Sequence, residues 1–256
     1  MKLIKEGHLM PFCPPLWFDQ LDSTSSHLKQ MVTDNPMLPS GTVIAAHCQT
    51  AGQGRMGRSW LTDAGQNLTF SALVRTPMHP ERLPSLPLVV GVAISNALAH
   101  YNIDGQLKWP NDILINYKKI CGVLLNQVPS QDSRSANCII GIGINVNMDA
   151  NGASQIDQPT TSISIETNQA YPVQSVLKHV LIHLDKQIEL WENKGFAAIK
   201  PTWLKQATYL NTKVTIRKSS TESTTGIHRG IGPLGEILLQ DNQGNVKGHF
   251  CGDLIL

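Results

Sequence analysis

Gly52-Gln53-Gly54-Arg55-Met56-Gly57-Arg58-Ser59-Trp60 is the most informative stretch of the chain. Three glycines permit a tight backbone path, and N–H groups freed along such a path can line an anion site. Two arginines set planar, permanently charged forks into the same path, suited to gripping a carboxylate or phosphate through two hydrogen bonds. The expected guest is a small anion. The same letters also spell G-x-G-x-x-G, which as a dinucleotide fingerprint would make the chain a doubly wound α/β protein. That fingerprint needs a strand before it, a helix opening from it and an acid about 20 residues on. Thr42-Val43-Ile44-Ala45-Ala46-His47 reads as the strand, but Ser59 to Asn67 reads as loop, and the position of the acid holds Thr76 and Pro77. The Rossmann reading is set aside on those grounds. No G-x-x-x-x-G-K-[ST] occurs, so an ordinary P-loop is excluded.

The 256 residues can hold one large domain plus a small one, and 41% hydrophobic residues argue against disorder. A net charge of +2 is too small to make nucleic acid the main partner. No run of roughly 18 apolar residues is found, so no membrane helix is expected. The start, Met1 to His8, lacks the apolar stretch of a signal peptide. Five cysteines, at 13, 48, 121, 138 and 251, form no C-x-x-C pair, which fits reduced thiols in a cytoplasmic protein. Cys138 and Cys251 read as packed core, and Cys48 and Cys121 as small buried hydrophobes.

Along the chain, Ser23-Thr24-Ser25-Ser26 precedes Leu28, Met31 and Val32, which share one helix face, so the hydroxyls read as an N-cap. Asn67 to Val74 alternates as a half-buried strand. Pro84 to Tyr101 reads as a buried helix. Gln106 to Trp109, Ile113 to Ile115, Ile120 to Val128 and Cys138 to Val146 read as strands. Val173 to Trp191 carries a helical stripe that Gly195 ends. From about Tyr209, short strands at Val214 to Ile216, Thr225 to Ile227, Glu236 to Leu239 and Phe250 to Ile255 suggest a small barrel. The fold class is therefore α+β, with a larger domain at 1–208 and an all-β unit at 209–256, below the usual independent size. Segment 147–160 reads as a mobile loop.

A second dense cluster is Lys108-Trp109-Pro110-Asn111-Asp112. Lys108 brings charge, while Asn111 and Asp112 bring oxygens suited to Mg²⁺ or a polar ligand; Pro-Asn-Asp alone is equally a common turn. Two strands joined near Asn116-Tyr117 would carry Lys119 back to this cluster.

Taken together, Asp22-Ser23-Thr24, Gln49 to Trp60, Lys108 to Asp112, Lys119-Ile120-Cys121-Gly122-Val123-Leu124 and Gly141-Ile142-Gly143-Ile144-Asn145-Val146-Asn147 resemble, in order, the motifs of the biotin protein ligase family. The resemblance covers nearly the whole chain. It implies a mixed-sheet catalytic domain of the biotin/lipoate ligase type followed by an SH3-like barrel. It implies that biotin and MgATP give biotinyl-5′-AMP, whose acyl group passes to a lysine of a biotin carboxyl carrier protein. The ligand set it implies is Ser23, Thr24, Ser25, Gln49, Gln53, Gly54, Arg55, Arg58, Trp60, Lys108, Asn111, Lys119, Gly122 and Asn145. Arg55, Lys119 and Asp112 would act in catalysis, and Asn145 with Asp112 would place Mg²⁺. Trp60 and Trp109 are candidate apolar walls for biotin, with core packing as the competing role. Two departures stand out. Gln53 replaces the family's usual arginine, and Ser25 stands where many members have asparagine. Only about 20 residues precede Asp22, fewer than the winged helix-turn-helix of repressor members needs. The form expected is ligase-only, binding no DNA and no membrane, and compatible with a homodimer. The rival readings are a lipoate or octanoate ligase and a non-catalytic RNA-binding module; near-neutral charge and the lack of an aromatic-basic stripe speak against the latter.

Overall fold

A computed structural model describes residues 12–60, 65–130 and 134–256. The signal-peptide expectation, and the part of the loop reading at 61–64, fall outside these residues. Apolar and alternating runs give β1 (Leu16–Leu21), α1 (Thr24–Asp34), β2 (Val43–Gln49) and β3 (Leu68–Thr76), then α2 (Leu86–Leu98), β4 (Gln106–Lys108), β5 (Asp112–Ile115), β6 (Lys118–Val128) and β7 (Ala136–Ile144). These seven strands form one sheet in the order β1-β2-β3-β7-β6-β5-β4, with β1 parallel to β2 and every other pair antiparallel. α3 (Ala150–Ser154), α4 (Ile163–Thr167), α5 (Val173–Lys194) and α6 (Lys200–Gln206) follow. β8 (Lys213–Arg217), β9 (Ser223–Ile231), β10 (Ile237–Gln240), β11 (Val246–His249) and β12 (Asp253–Ile255) form a second, antiparallel sheet in the order β11-β10-β9-β8-β12.

α2 and α5 cover one face of the large sheet. Their apolar stripes, including Val89, Ile94, Leu177, Leu184 and Trp191, join its core together with Val214, Ile216, Ile237 and Leu254 of the small sheet. The two sheets thus share a continuous hydrophobic interior, which explains how so short an all-β unit is sustained. The run Pro80–Tyr101, α2 with its flanking 3-10 turns, is long and apolar enough to cross a membrane by length and composition, contrary to the sequence reading, yet 72% of its apolar window is buried in the core. α1 lies on the opposite face, burying Leu28 and Val32 against Ile44, Leu73 and Ile139.

Five readings are corrected or completed. β3 is central and buried on both faces, not half-buried: its polar residues Thr69 and Ser71 turn toward α1 and a cavity rather than toward water. β11, where Val246, Lys247 and Gly248 are exposed, was hidden because it has no buried alternation to reveal it. Cys251 is exposed, since Phe250 to Gly252 is a bend before β12 rather than strand. Cys48 is only half-buried, whereas Cys121 and Cys138 are buried and burial pushes both thiol pKa values up. Segment 147–160 contains α3, and its end is tied to β6 by the Lys119 N–H donating to the Pro159 carbonyl at 2.8 Å.

Candidate active site

The site grows from strand register. Ser71 of β3 stands opposite Gly141 of β7, which stands opposite Leu124 of β6; Thr69, Gly143 and Gly122 make the next row. Residues directly opposite one another share a face, so these rows pave one floor; Thr69, Gly122, Leu124, Gly141 and Gly143 line a cavity of about 400 Å³, with Ser71 buried just behind them. Glycine is required in that floor. A Cβ on Gly141 would come within 2.5 Å of Ser25 Oγ, and one on Gly143 would run into the Trp60 indole.

α1 supplies one wall. Ser23 caps it by accepting a hydrogen bond from the Ser26 N–H at 3.4 Å. Gln49 Oε1, at the end of β2, accepts from the Thr24 N–H at 2.7 Å and the Thr24 hydroxyl at 3.0 Å. Ser71 Oγ lies 2.9 Å from both Thr24 Oγ1 and Ser25 Oγ. These hydroxyls and the Gln49 amide form one buried network on the cavity wall. The signal for Ser71 was present in the polar face of β3, but its partners could be known only from the register.

The glycine-rich loop folds back on itself. Gln53 bridges Ser59, the Gly54 N–H donates to the Arg58 carbonyl at 2.7 Å, and a 3-10 turn at Arg55–Gly57 puts Met56 and Gly57 at φ 53° and 75°. Among the described residues no α-helix opens from it and β3 follows, so the Rossmann reading stays rejected. The loop's cations are held from two sides. Arg55 Nη1 donates to Asn111 Oδ1 at 3.2 Å, and Arg55 Nη2 to the Gly252 carbonyl at 3.2 Å. Asp253 of β12 pairs with Arg55 at 3.5 Å and with Arg58. Asn111 is itself anchored by donating Nδ2–H to the Val123 carbonyl at 2.7 Å.

The β5–β6 hairpin, turning at Asn116 and Tyr117 with φ 48° and 63°, returns Lys119 to within 2.8 Å of Asp112, as the sequence suggested. Asn and Tyr occupy the two left-handed positions that such a tight hairpin demands. Lys119 also sits 5.7 Å from the centre of the Trp60 ring. Burial lowers the Lys108 pKa, with Asp112 pulling the other way, and burial likewise lowers that of Arg55. The Trp60 Nε1 has no hydrogen-bond partner among the described residues. Trp109 is largely core yet still lines the cavity: it is 2% exposed and donates its indole N–H to the Gly235 carbonyl, in the turn before β10, at 3.0 Å.

Ser23, Thr24, Ser25, Gln49, Gln53, Gly54, Arg55, Arg58, Trp60, Lys108, Asn111, Asp112, Lys119 and Gly122 all line this cavity. Asn145 does not. It borders an adjoining cavity of about 550 Å³ that shares Arg58, Ser59, Trp60, Lys119 and Gln158 with the first. Its side-chain N–H donates to the Thr161 carbonyl at 3.0 Å. Sequence reasoning missed Ser71, Thr69, Arg217 and Asp253. The last two come from the small sheet, and no local motif marks them. Arg55, Arg58, Lys108, Lys119 and Arg217 face only Asp112 and Asp253, so the cavity lining has a net charge of +3. A hydroxyl-rich, glycine-floored pocket with that excess is built for a polar ligand carrying anionic groups.

A pocket of this kind, set between a mixed sheet and a small barrel, is the site of an enzyme for a small polar ligand. The model of the biotin/lipoate A/B protein ligase family matches residues 17–145. The chain is 32% identical to the bifunctional ligase/repressor BirA of Bacillus subtilis over 243 residues, 94% of this chain and 73% of that one. It is 29% identical to the biotin–[acetyl-CoA-carboxylase] ligase of Paracoccus denitrificans, covering 87% of this chain and 92% of that one. Its fold is similar to the biotin protein ligase of Aquifex aeolicus solved with biotin and ATP, with a TM-score of 0.77, 30% identity, and coverage of 95% and 98%. The chain belongs to the biotin/lipoate A/B protein ligase family.

Proposed function

We propose that the protein activates biotin with ATP to biotinyl-5′-AMP and passes the biotinyl group to a lysine of a biotin carboxyl carrier protein. The observation that carries this is the positively charged cavity, whose hydroxyl network lies on one side and whose arginine-bearing loop lies on the other. The similarity to a ligase solved with both biotin and ATP supports the same reading. The five cysteines are free thiols, which supports a reducing, cytoplasmic setting. We also read residues 209–256 as a lobe that depends on the larger domain, because its buried side chains belong to the common core.

In the first step the biotin carboxylate, ionised at neutral pH, attacks the α-phosphorus and pyrophosphate leaves. No base is needed; the obstacle is bringing two anions together. Lys119 and Arg55 are placed to hold the carboxylate and α-phosphate, and Arg58 to steady the leaving group. ATP brings Mg²⁺, which neutralises phosphate charge. No group of three or more His, Cys, Asp or Glu side chains suited to a metal occurs among the described residues. A few oxygens beside the phosphates suffice for this ion, and Asn145 and Asp112 are our candidates.

In the second step the lysine amine attacks the acyl carbon and AMP leaves. The incoming ammonium, with an ordinary pKa of about 10.4, must first lose a proton. Asp112, already engaged with one ammonium at 2.8 Å on Lys119, is suited to receive and orient a second. Biotin-dependent exchange of labelled pyrophosphate into ATP tests the reading, with lipoate and octanoate as controls. Exchange with biotin alone is expected. Exchange with lipoate would move the protein to the other branch of its family, and none with any acid would refute the activity.

A further inference from the structure

Arg217 is a cation of the site that no local motif announces. It lies on β8, directly opposite Asp253 of β12 in the antiparallel register, and both line the main cavity. Opposite residues in such a pair share a face, where an arginine and an aspartate would ordinarily bond to each other. Here the Asp253 carboxylate reaches across to Arg55 and Arg58 of the glycine-rich loop instead. Arg217 is exposed, and no ion pair to it is formed among the described residues. Every carboxylate lining this cavity is therefore committed, Asp112 to Lys119 and Asp253 to the loop arginines, while Arg217 contributes an uncompensated charge at the rim.

The geometry points to Arg217 as a polyphosphate-binding residue, contributed by the small sheet and acting on the end of the nucleotide that departs as pyrophosphate. A planar guanidinium grips phosphate oxygens through paired hydrogen bonds, and at a solvent-open rim it does so without a large desolvation cost. The assignment also offsets a repulsion: a phosphate drawn to Arg55 and Arg58 arrives beside Asp253, and Arg217 is the nearest residue in register that can balance that carboxylate. It rests on the ATP-dependent reading above and adds a ligand-binding role for β8.

The test uses the full chain with Arg217→Gln, Arg217→Lys and wild type. In pyrophosphate exchange, Arg217→Gln is expected to raise the ATP KM and the inhibition constant of inorganic pyrophosphate about 3–10-fold, the size of one charge-assisted contact. The biotin KM and the unfolding midpoint should stay put, and Arg217→Lys should recover most of the loss. The difference should shrink at high salt, as for any exposed charge. Equal ATP and pyrophosphate constants in wild type and Arg217→Gln would overturn the assignment. Calorimetric titration of inorganic pyrophosphate into each protein separates this from the activity. Weaker binding to Arg217→Gln supports the assignment even without exchange, and equal or absent binding refutes it.

Discussion

The carboxylate of Asp253, on the last strand of the small sheet, is bonded to the guanidinium of Arg58 in the glycine-rich loop of the large domain. The same carboxylate reaches Arg55, whose other contacts are Asn111 and the Gly252 carbonyl. An internal anion thus occupies the two arginines proposed to receive a substrate anion. The small sheet is a wall of the site, not an appendage to it.

Replacing Asp253 by Asn should free both arginines. The Arg58 and Asp253 side chains are 55% and 26% exposed, so the pair contributes only about 0.5–1 kcal/mol and stability should hardly change. The inhibition constant of pyrophosphate is expected to fall a few-fold, because a competing carboxylate is gone. A rise would show instead that Asp253 acts by fixing the loop.

Gln53 lines the cavity, at the position where the family resemblance implies an arginine. Gln53→Arg adds a charged fork beside Arg55 and should lower the biotin KM about 3–10-fold, equivalent to roughly 1 kcal/mol. An unchanged KM in steady-state kinetics would mean that Lys119 and Arg55 already satisfy the carboxylate.

Gly143→Ala drives a methyl into the space held by the Trp60 ring. Overpacking of this kind costs roughly 1–3 kcal/mol in stability. The larger effect should be on ligand: biotin binding, followed by calorimetry, is expected to weaken at least ten-fold as the indole is displaced. Retained affinity would show that the floor can yield.

Ser71 is fully buried and is the hub joining Thr24 to Ser25. Ser71→Ala strands the Ser25 hydroxyl and leaves that of Thr24 with Gln49 alone, and should cost about 1–3 kcal/mol in denaturant unfolding. A cost near zero would mean that the Ser25 hydroxyl finds another partner, such as water in the cavity it lines.

His228 is completely buried against Trp203, with neither ring nitrogen hydrogen-bonded among the described residues. Burial lowers its pKa from 6.5, and the nearby backbone of Tyr209, Thr208 and Gly230 opposes this more weakly. The folded state therefore binds its proton less readily than the unfolded state, so the His228 contribution is complete above about pH 7 and is lost as pH falls through about 6.5. Urea midpoints should decline from pH 7 to pH 5, and less steeply in His228→Phe. Parallel slopes would exclude this histidine.

How much of this could be read from residues alone follows from the range of the interactions. Local signals were legible: the Ser23 cap, the hairpin that returns Lys119 to Asp112, the stripe of α5 and the glycine-rich turn each depend on neighbours in sequence. The cavity-lining set was legible through the order of its motifs. What escaped was set by contacts between distant strands. Thr69 and Ser71 looked like a solvated face until β7 and α1 covered them, and Asp253 and Arg217 gain meaning only where β12 and β8 meet the loop.

The placement of Trp60 makes the protein its own optical probe. Trp109, Trp191 and Trp203 are buried in the core, and Trp17 stacks on His47. Among the five tryptophans, Trp60 alone borders both cavities, with an ammonium close to its ring. Whatever enters either cavity changes the polarity and quenching around that one indole. Occupancy can therefore be followed by intrinsic fluorescence in the unlabelled protein, with Trp109 the only other tryptophan that lines the main cavity.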